Sequence, residues 1–176
     1  MTRPDDSTAD AGLDDRAAIC PGSFDPVTRG HLDVVARATR LFARMTVAVV
    51  AHPGKRALLS LDERLALVRS EVGALGLGRP VDVVSFDGLT VDLARRVGAR
   101  WIVRGLRSSE DAGYELPMAL SNRLCGVAEV ETVFLAASAE VAFISSTLVR
   151  QVAAAGGRLE GFVTPAVAAK LREKYG

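Results

Sequence analysis

The chain has two cysteines, Cys20 and Cys125, too few for a disulfide framework and in no CxxC or Cys/His spacing suited to a metal. Both read as reduced, packed thiols. No stretch approaches the ~20 consecutive apolar residues that a helix needs to cross a bilayer, so a membrane span is not expected. The first residues lack the basic start and apolar run of a signal or transit peptide, and a cytoplasmic location is expected from that. Aromatics make up only 5% of the residues and nowhere interleave with a Lys/Arg cluster, which argues against a nucleic-acid track. Neither G-x-G-x-x-G nor G-x-x-x-x-G-K-[ST] occurs, so a dinucleotide fingerprint and a Walker-type phosphate loop are both unsupported. Internal repeats and low-complexity tracts are missing as well.

What is there suits one soluble domain: 176 residues, 49% apolar and 24% charged, enough to cover a central sheet on both faces. The net charge of +1 is unevenly spread. Residues 1–16 hold five aspartates against Arg3 and Arg16, and read as a disordered acidic tail ahead of a single domain at 17–176. That domain is mildly basic, consistent with a small phosphate-bearing ligand.

Short β-branched runs alternate with longer helical ones. "RAAIC" reads as a strand and "HLDVVARATRLFARM" as an amphipathic helix; "TVAVVA", "VDVVSF", "WIVRGL" and "ETVFLA" are further strands, apolar enough to be covered on both faces. Between and after them, "SLDERLALVRSEVGAL" carries Ser60 and Glu63 at capping-box spacing, "TVDLARRVGA" ends on Gly98, and three more helices follow, the last opening on Pro165. This rotation predicts an α/β, Rossmann-like, doubly wound sheet of five parallel strands with helices on both faces. Ligands of such sheets sit at the carboxyl ends of the strands. The stretches "CPGSFDPVTRGH", "AHPGK", "FDGLT" and "RGLR" all follow strands.

In the first of these, Gly22 permits a tight turn, Pro26 stiffens it, and His31 falls in the first turn of a helix whose free N–H groups form an anion site. An imidazole there adds one more donor for a phosphate oxygen. The stretch "GSFDPVTRGH" resembles the G-[ST]-F-D-P-x-[TH]-x-G-H signature of the nucleotidyltransferase superfamily, and "ISSTLVR" resembles its second signature. With "HPGK", "LDER", "RGLR" and "YELPMALSNR" in matching order from Ala17 onward, the chain resembles bacterial phosphopantetheine adenylyltransferases.

The resemblance implies transfer of AMP from ATP to 4′-phosphopantetheine, giving dephospho-CoA and pyrophosphate by direct attack, with Mg²⁺ carried on the nucleotide. It implies that His31 contacts the ATP phosphates and stabilises the transition state, with Ser23 and Phe24 between the two ligands. Gly105, Leu106, Arg107 and Glu115 are then expected at the ATP site. So are Val141, Ala142, Phe143 and Ile144, and Ser145, Ser146 and Thr147 would receive the β- and γ-phosphates. Lys55, Thr90, Arg104, Met118 and Asn122, with the Ser23 hydroxyl, are expected on the phosphopantetheine side, whereas His52 and Arg56 read as surface residues. The resemblance further implies a homohexamer and competition by coenzyme A. Alternative readings are a sister enzyme acting on nicotinamide or nicotinate mononucleotide, or moving CMP to a phosphorylated alcohol, and a non-catalytic nucleotide-binding protein. No carboxylate cage for a metal is visible, so ATP oxygens and water are expected to hold the Mg²⁺.

One segment departs from the family pattern. In "AGYELPM", Gly113 and Pro117 fall where a helix is expected, and a proline inside a helix costs about 3 kcal/mol. The helix is therefore expected to start late, with Pro117 in its first turn and Glu115 and Met118 displaced.

Overall fold

The structure is a computed structural model in which residues 12–51, 57–125 and 129–176 are described. Five strands, β1 (Asp14–Gly22), β2 (Arg44–Val50), β3 (Val81–Phe86), β4 (Ala99–Leu106) and β5 (Glu131–Ala136), form one parallel sheet in the order β3-β2-β1-β4-β5. Its register aligns Ile19 with both Thr46 and Ile102, so β1 is the central strand. Ile19, Val47 and Ile102 are almost wholly buried, as central strands covered on both sides must be. The expected doubly wound α/β architecture is what forms.

Six helices connect and cover the described strands: α1 (Arg29–Leu41), α2 (Leu61–Ala74), α3 (Thr90–Arg96), α4 (Ser109–Cys125), α5 (Ser146–Ala154) and α6 (Pro165–Tyr175). Residues of α1, α2, α5 and α6 share one apolar core with one face of the sheet, centred on Val35, Val68, Val149 and Leu171. The other face packs a smaller core against α3 through Val91, Leu93 and Ala94. Capping follows the local chemistry: Ser60 and Glu63 form the reciprocal box that opens α2, and Gly98, at φ +67°, takes the left-handed turn that leads α3 into β4. No described helix is long and apolar enough to cross a membrane.

Two boundaries differ from the sequence expectation. Strand β1 begins at Asp14, so Asp14, Asp15 and Arg16 belong to the sheet rather than to a tail. The Asp14 amide donates to the Gly98 carbonyl at 2.9 Å, and the Trp101 indole N–H donates to the Asp15 carbonyl at 2.8 Å. These partners lie some 85 residues away along the chain, beyond any local reading. Residues 1–11 are outside the described residues.

The second correction concerns α4, which starts at Ser109 and keeps Pro117 inside it. A proline lacks the N–H that would reach the carbonyl four residues back, and its ring presses on that carbonyl. Here that residue is Gly113, whose side is open: a Cβ built on it would meet nothing within 4 Å. The turn has room to relax where the ring demands it. Glu115 is consequently not displaced; it is the one α4 residue that is buried.

Candidate active site

The direction of winding reverses at β1, whose neighbours β2 and β4 lead to opposite edges, and this leaves a crevice at the carboxyl ends of β1 and β4. At the end of β1 the chain turns sharply. A Cβ on Gly22 would lie 3.0 Å from ring carbons of Phe24, so only glycine lets that ring tuck under the turn. Phe24 itself has φ +48° and is buried, with Ser23 beside it exposed.

Thr28 then caps α1, and His31, three residues on, completes the capping box. The Thr28 backbone N–H donates to His31 Nδ1 at 3.0 Å, and the His31 backbone N–H donates to the Thr28 hydroxyl at 3.4 Å. A backbone N–H can only donate, so Nδ1 is the lone-pair nitrogen and the proton of the neutral ring sits on Nε2. The Phe24 ring meets the imidazole edge-on, with centroids 5.0 Å apart. Burial, and then the positive charges of Arg107 and Arg104, push the His31 pKa down from 6.5 to about 4. His31 is therefore a neutral, pre-aimed N–H donor.

The end of β4 supplies two arginines, both gripped by α4. Arg104 Nε donates to Glu115 Oε2 at 2.8 Å and Nη2 donates to Oε1, while Nη1 donates to the Pro21 carbonyl at the end of β1. Burial alone would disfavour its charge, but the Glu115 carboxylate outweighs this and holds the guanidinium protonated. Arg107 donates from Nε and Nη2 to Asp111, each at 2.8 Å, and from Nη1 to the Ile144 carbonyl at 3.1 Å. The hydrogen-bonded Arg107 holds the Asp111 carboxyl below its usual range. Asp111 and Glu115 are one helical turn apart, so one face of α4 orients both guanidiniums. Between the arginines, Gly105 brings α1 close: a Cβ there would fall 2.8 Å from Val34 Cγ2.

The loop after β5 leads into α5, where Ser145 caps the helix by accepting from the Leu148 amide at 3.0 Å. The Ser146 hydroxyl donates to the Pro26 carbonyl at 2.8 Å, and Arg150 Nη1 donates to the Asp25 carbonyl and pairs with the Asp25 carboxylate at 3.6 Å. Asp25 also accepts from the amides of Leu58 and Leu59, both at 2.9 Å. One buried carboxylate thus ties together the segments that follow β1 and β2 and the helix that follows β5. The amides of Ser146 and Thr147, ahead of the first intrahelical bonds of α5, remain as donors. Among the described residues no three His, Cys, Asp or Glu side chains gather to hold a metal. The donor set is one of guanidiniums, amides, hydroxyls and a neutral imidazole, suited to anions.

Comparison with known proteins agrees with this chemistry. The cytidylyltransferase-like family matches residues 19–152. A phosphopantetheine adenylyltransferase of Heliobacterium modesticaldum is 47% identical over 90% of this chain and 92% of its own. One of Nitrobacter winogradskyi is 49% identical over 91% and 98%. This chain belongs to the phosphopantetheine adenylyltransferase family. A Plasmodium falciparum nicotinic acid mononucleotide adenylyltransferase complexed with NaAD, at 13% identity and a TM-score of 0.66, covers 90% of this chain and 95% of that one, and shares the fold.

Of the residues singled out from the sequence, some lie at the carboxyl ends of the strands and others elsewhere. Ser23, His31, Arg104, Gly105, Leu106 and Arg107 border the crevice between β1 and β4. Phe24 and Ile144 are core side chains, 2% exposed each, so only their backbone is left for a ligand. Val141 and Ala142 are half-buried, and Phe143 is exposed and packs edge-on against Phe162. The hydroxyls of Ser145 and Ser146 are already engaged, whereas Thr147 is exposed. Thr90 opens α3 at the end of β3; Met118 is exposed and Asn122 half-buried on α4. Lys55, His52 and Arg56 lie outside the described residues. Glu115, expected against the nucleotide, is paired with Arg104.

Four charged residues of the site were not assigned roles from sequence: Asp25, Arg64, Asp111 and Arg150. Asp25, Arg64 and Arg150 are letters of the quoted stretches "SFDP", "LDER" and "ISSTLVR". Their signal was a charged residue locked into a motif without a ligand to explain it. Only burial, at 6% exposure for both Asp25 and Arg64, turns that signal into a structural role.

Proposed function

We propose that the chain transfers AMP from ATP to 4′-phosphopantetheine, releasing pyrophosphate and forming dephospho-CoA. The observation that carries this reading is the strand order. Thr90, expected at the acceptor, follows β3, and Lys55, outside the described residues, comes after β2 in the sequence; residues expected at ATP follow β4 and β5, and His31 and Ser23 follow β1 between them. Arg104, Met118 and Asn122 are the exceptions, reaching the acceptor from β4 and α4.

The acceptor already ends in a phosphate oxyanion, so no protein nucleophile is required. Its oxygen forms a bond to the α-phosphorus of ATP while the bond to pyrophosphate breaks in line, and the electron pair leaves on pyrophosphate. The chain's contribution is alignment and charge stabilisation. His31 donates from Nε2 to the α-phosphate as negative charge builds there. Arg107 and the amides at Ser145, Ser146 and Thr147 hold the leaving phosphates. Mg²⁺ carried on the nucleotide would supply charge neutralisation, and the residues of the site would bind the nucleotide's phosphates rather than the metal. Coenzyme A, which contains the acceptor arm, competes for the same crevice.

The deciding experiment measures pyrophosphate release from ATP with 4′-phosphopantetheine, from ATP with nicotinate or nicotinamide mononucleotide, and from CTP with glycerol phosphate. Turnover is expected with the first pair. Preference for either of the others, or ATP binding with no turnover, overturns the reading.

We also propose the homohexamer, supported by α4. Tyr114, Leu116, Met118, Leu120 and Leu124 are all at least 40% exposed. At 100° per residue they span more than half of the helix circumference. A helix that contains a proline and buries one residue of its own is poorly supported by its own chain. Sedimentation of the native chain should give a species of six 18.6 kDa subunits, and Leu120→Glu with Leu124→Glu a smaller one. An active native monomer at micromolar concentration would sink the proposal.

A further inference from the structure

Arg64 is a buried cation whose hydrogen bonds among the described residues all go to neutral backbone acceptors. It lies in the first turns of α2, is 6% exposed, and spends Nη1 on two neutral acceptors, the Ser23 carbonyl at 2.7 Å and the Val50 carbonyl at 2.9 Å. Its Nε has no partner, the one buried side-chain polar atom in that state among the described residues. None of the ion pairs among them includes it. The nearby carboxylate of Asp25 is committed to two amides and Arg150. Buried charges are ordinarily paired, because desolvation of an unpaired one is costly.

The position of this charge indicates what balances it. Ser23 follows β1 and Val50 ends β2, so the guanidinium bridges the carboxyl ends of the two strands on the acceptor side of His31. We propose that Arg64 is the buried cation that selects the acceptor's phosphate: its charge, unneutralised by any ion pair among the described residues, is balanced when a phosphomonoester occupies the space above Ser23. By clamping both carbonyls it also fixes the Ser23 turn against the end of β2, which makes it a positioning residue that acts without touching the substrate. The inference rests on the adenylyl-transfer reading given above.

A unit charge about 12 Å away, at an effective dielectric of about 20, is worth roughly a tenfold change in binding. Arg64→Gln should therefore raise KM for 4′-phosphopantetheine about tenfold, leave KM for ATP within about twofold, and leave the inhibition constant of pantetheine, which lacks the phosphate, equally unchanged. Arg64→Lys, which keeps the charge, should restore most of the acceptor affinity. The proposal is overturned if pantetheine and phosphopantetheine weaken together, if Lys is no better than Gln, if KM for the acceptor does not move, or if both variants fail to fold. Failure of the unmodified chain to turn over phosphopantetheine would instead overturn the functional reading.

Discussion

His31→Ala lowers kcat by about 100- to 1,000-fold, the usual consequence of removing one pre-aimed donor from a developing oxyanion. ATP affinity falls far less, because Arg107 and the α5 amides still hold the phosphates. The capping box makes this a demanding position. Nδ1 is occupied by the Thr28 amide, which leaves Nε2–H as the only donor and fixes its direction. His31→Gln would keep a donor but not that geometry, and should recover little of the loss. Because burial and two neighbouring cations hold the free imidazole near a pKa of about 4, the ring is neutral across the working range. In the unfolded chain its pKa is 6.5, so between pH 6.5 and about 4 the unfolded state binds a proton that the native state does not. Stability therefore falls as pH drops through that window. The His31 ring resonances should stay at their neutral positions from pH 8 to pH 6 in the free protein. Titration with a midpoint near 6.5, or a kcat within tenfold of the parent in His31→Ala, would remove the imidazole from the chemistry.

The capping box also shows how far local sequence can be read. A threonine ahead of a helix is an ordinary cap, and an imidazole in the first turn is an ordinary phosphate donor; from the sequence these are separate accounts of Thr28 and His31. The structure joins them: the cap sets the tautomer, and the tautomer makes the donor. The alternating strands and helices were legible because their periods are local properties, and the switch point followed from topology. The start of β1 was not, because Asp14 and Asp15 are held by Gly98, Arg100 and Trp101, partners at the turn into β4 and in β4 itself.

Helix α4 went unread for a different reason. Propensity at Pro117 points to a break, and the cost of a proline in a helix is real. What outweighs it is tertiary: two arginines at the end of β4 find carboxylates only if Asp111 and Glu115 share a helical face, which needs the helix to run through both. The same limit applied to Asp25, Arg64 and Arg150. A motif letter names a residue but does not say whether it faces a ligand, a backbone carbonyl or another charge.

The Arg104–Glu115 pair separates these roles experimentally. Glu115→Gln strands a guanidinium whose side chain is only 28% exposed, and should cost about 3 kcal/mol of stability. Arg104→Met combined with Glu115→Leu removes both charges and keeps the volume. Urea unfolding of this double variant should return to within about 1 kcal/mol of the parent, since replacing a buried pair by apolar groups is often neutral. Activity should not return with it: kcat/KM stays down by about 100-fold or more, because the Arg104 cation on the acceptor side is gone. If the double variant turns over normally, Arg104 serves the fold and not the acceptor. If Glu115→Gln is as stable as the parent, the carboxylate does not hold the arginine, and its place is against the nucleotide after all.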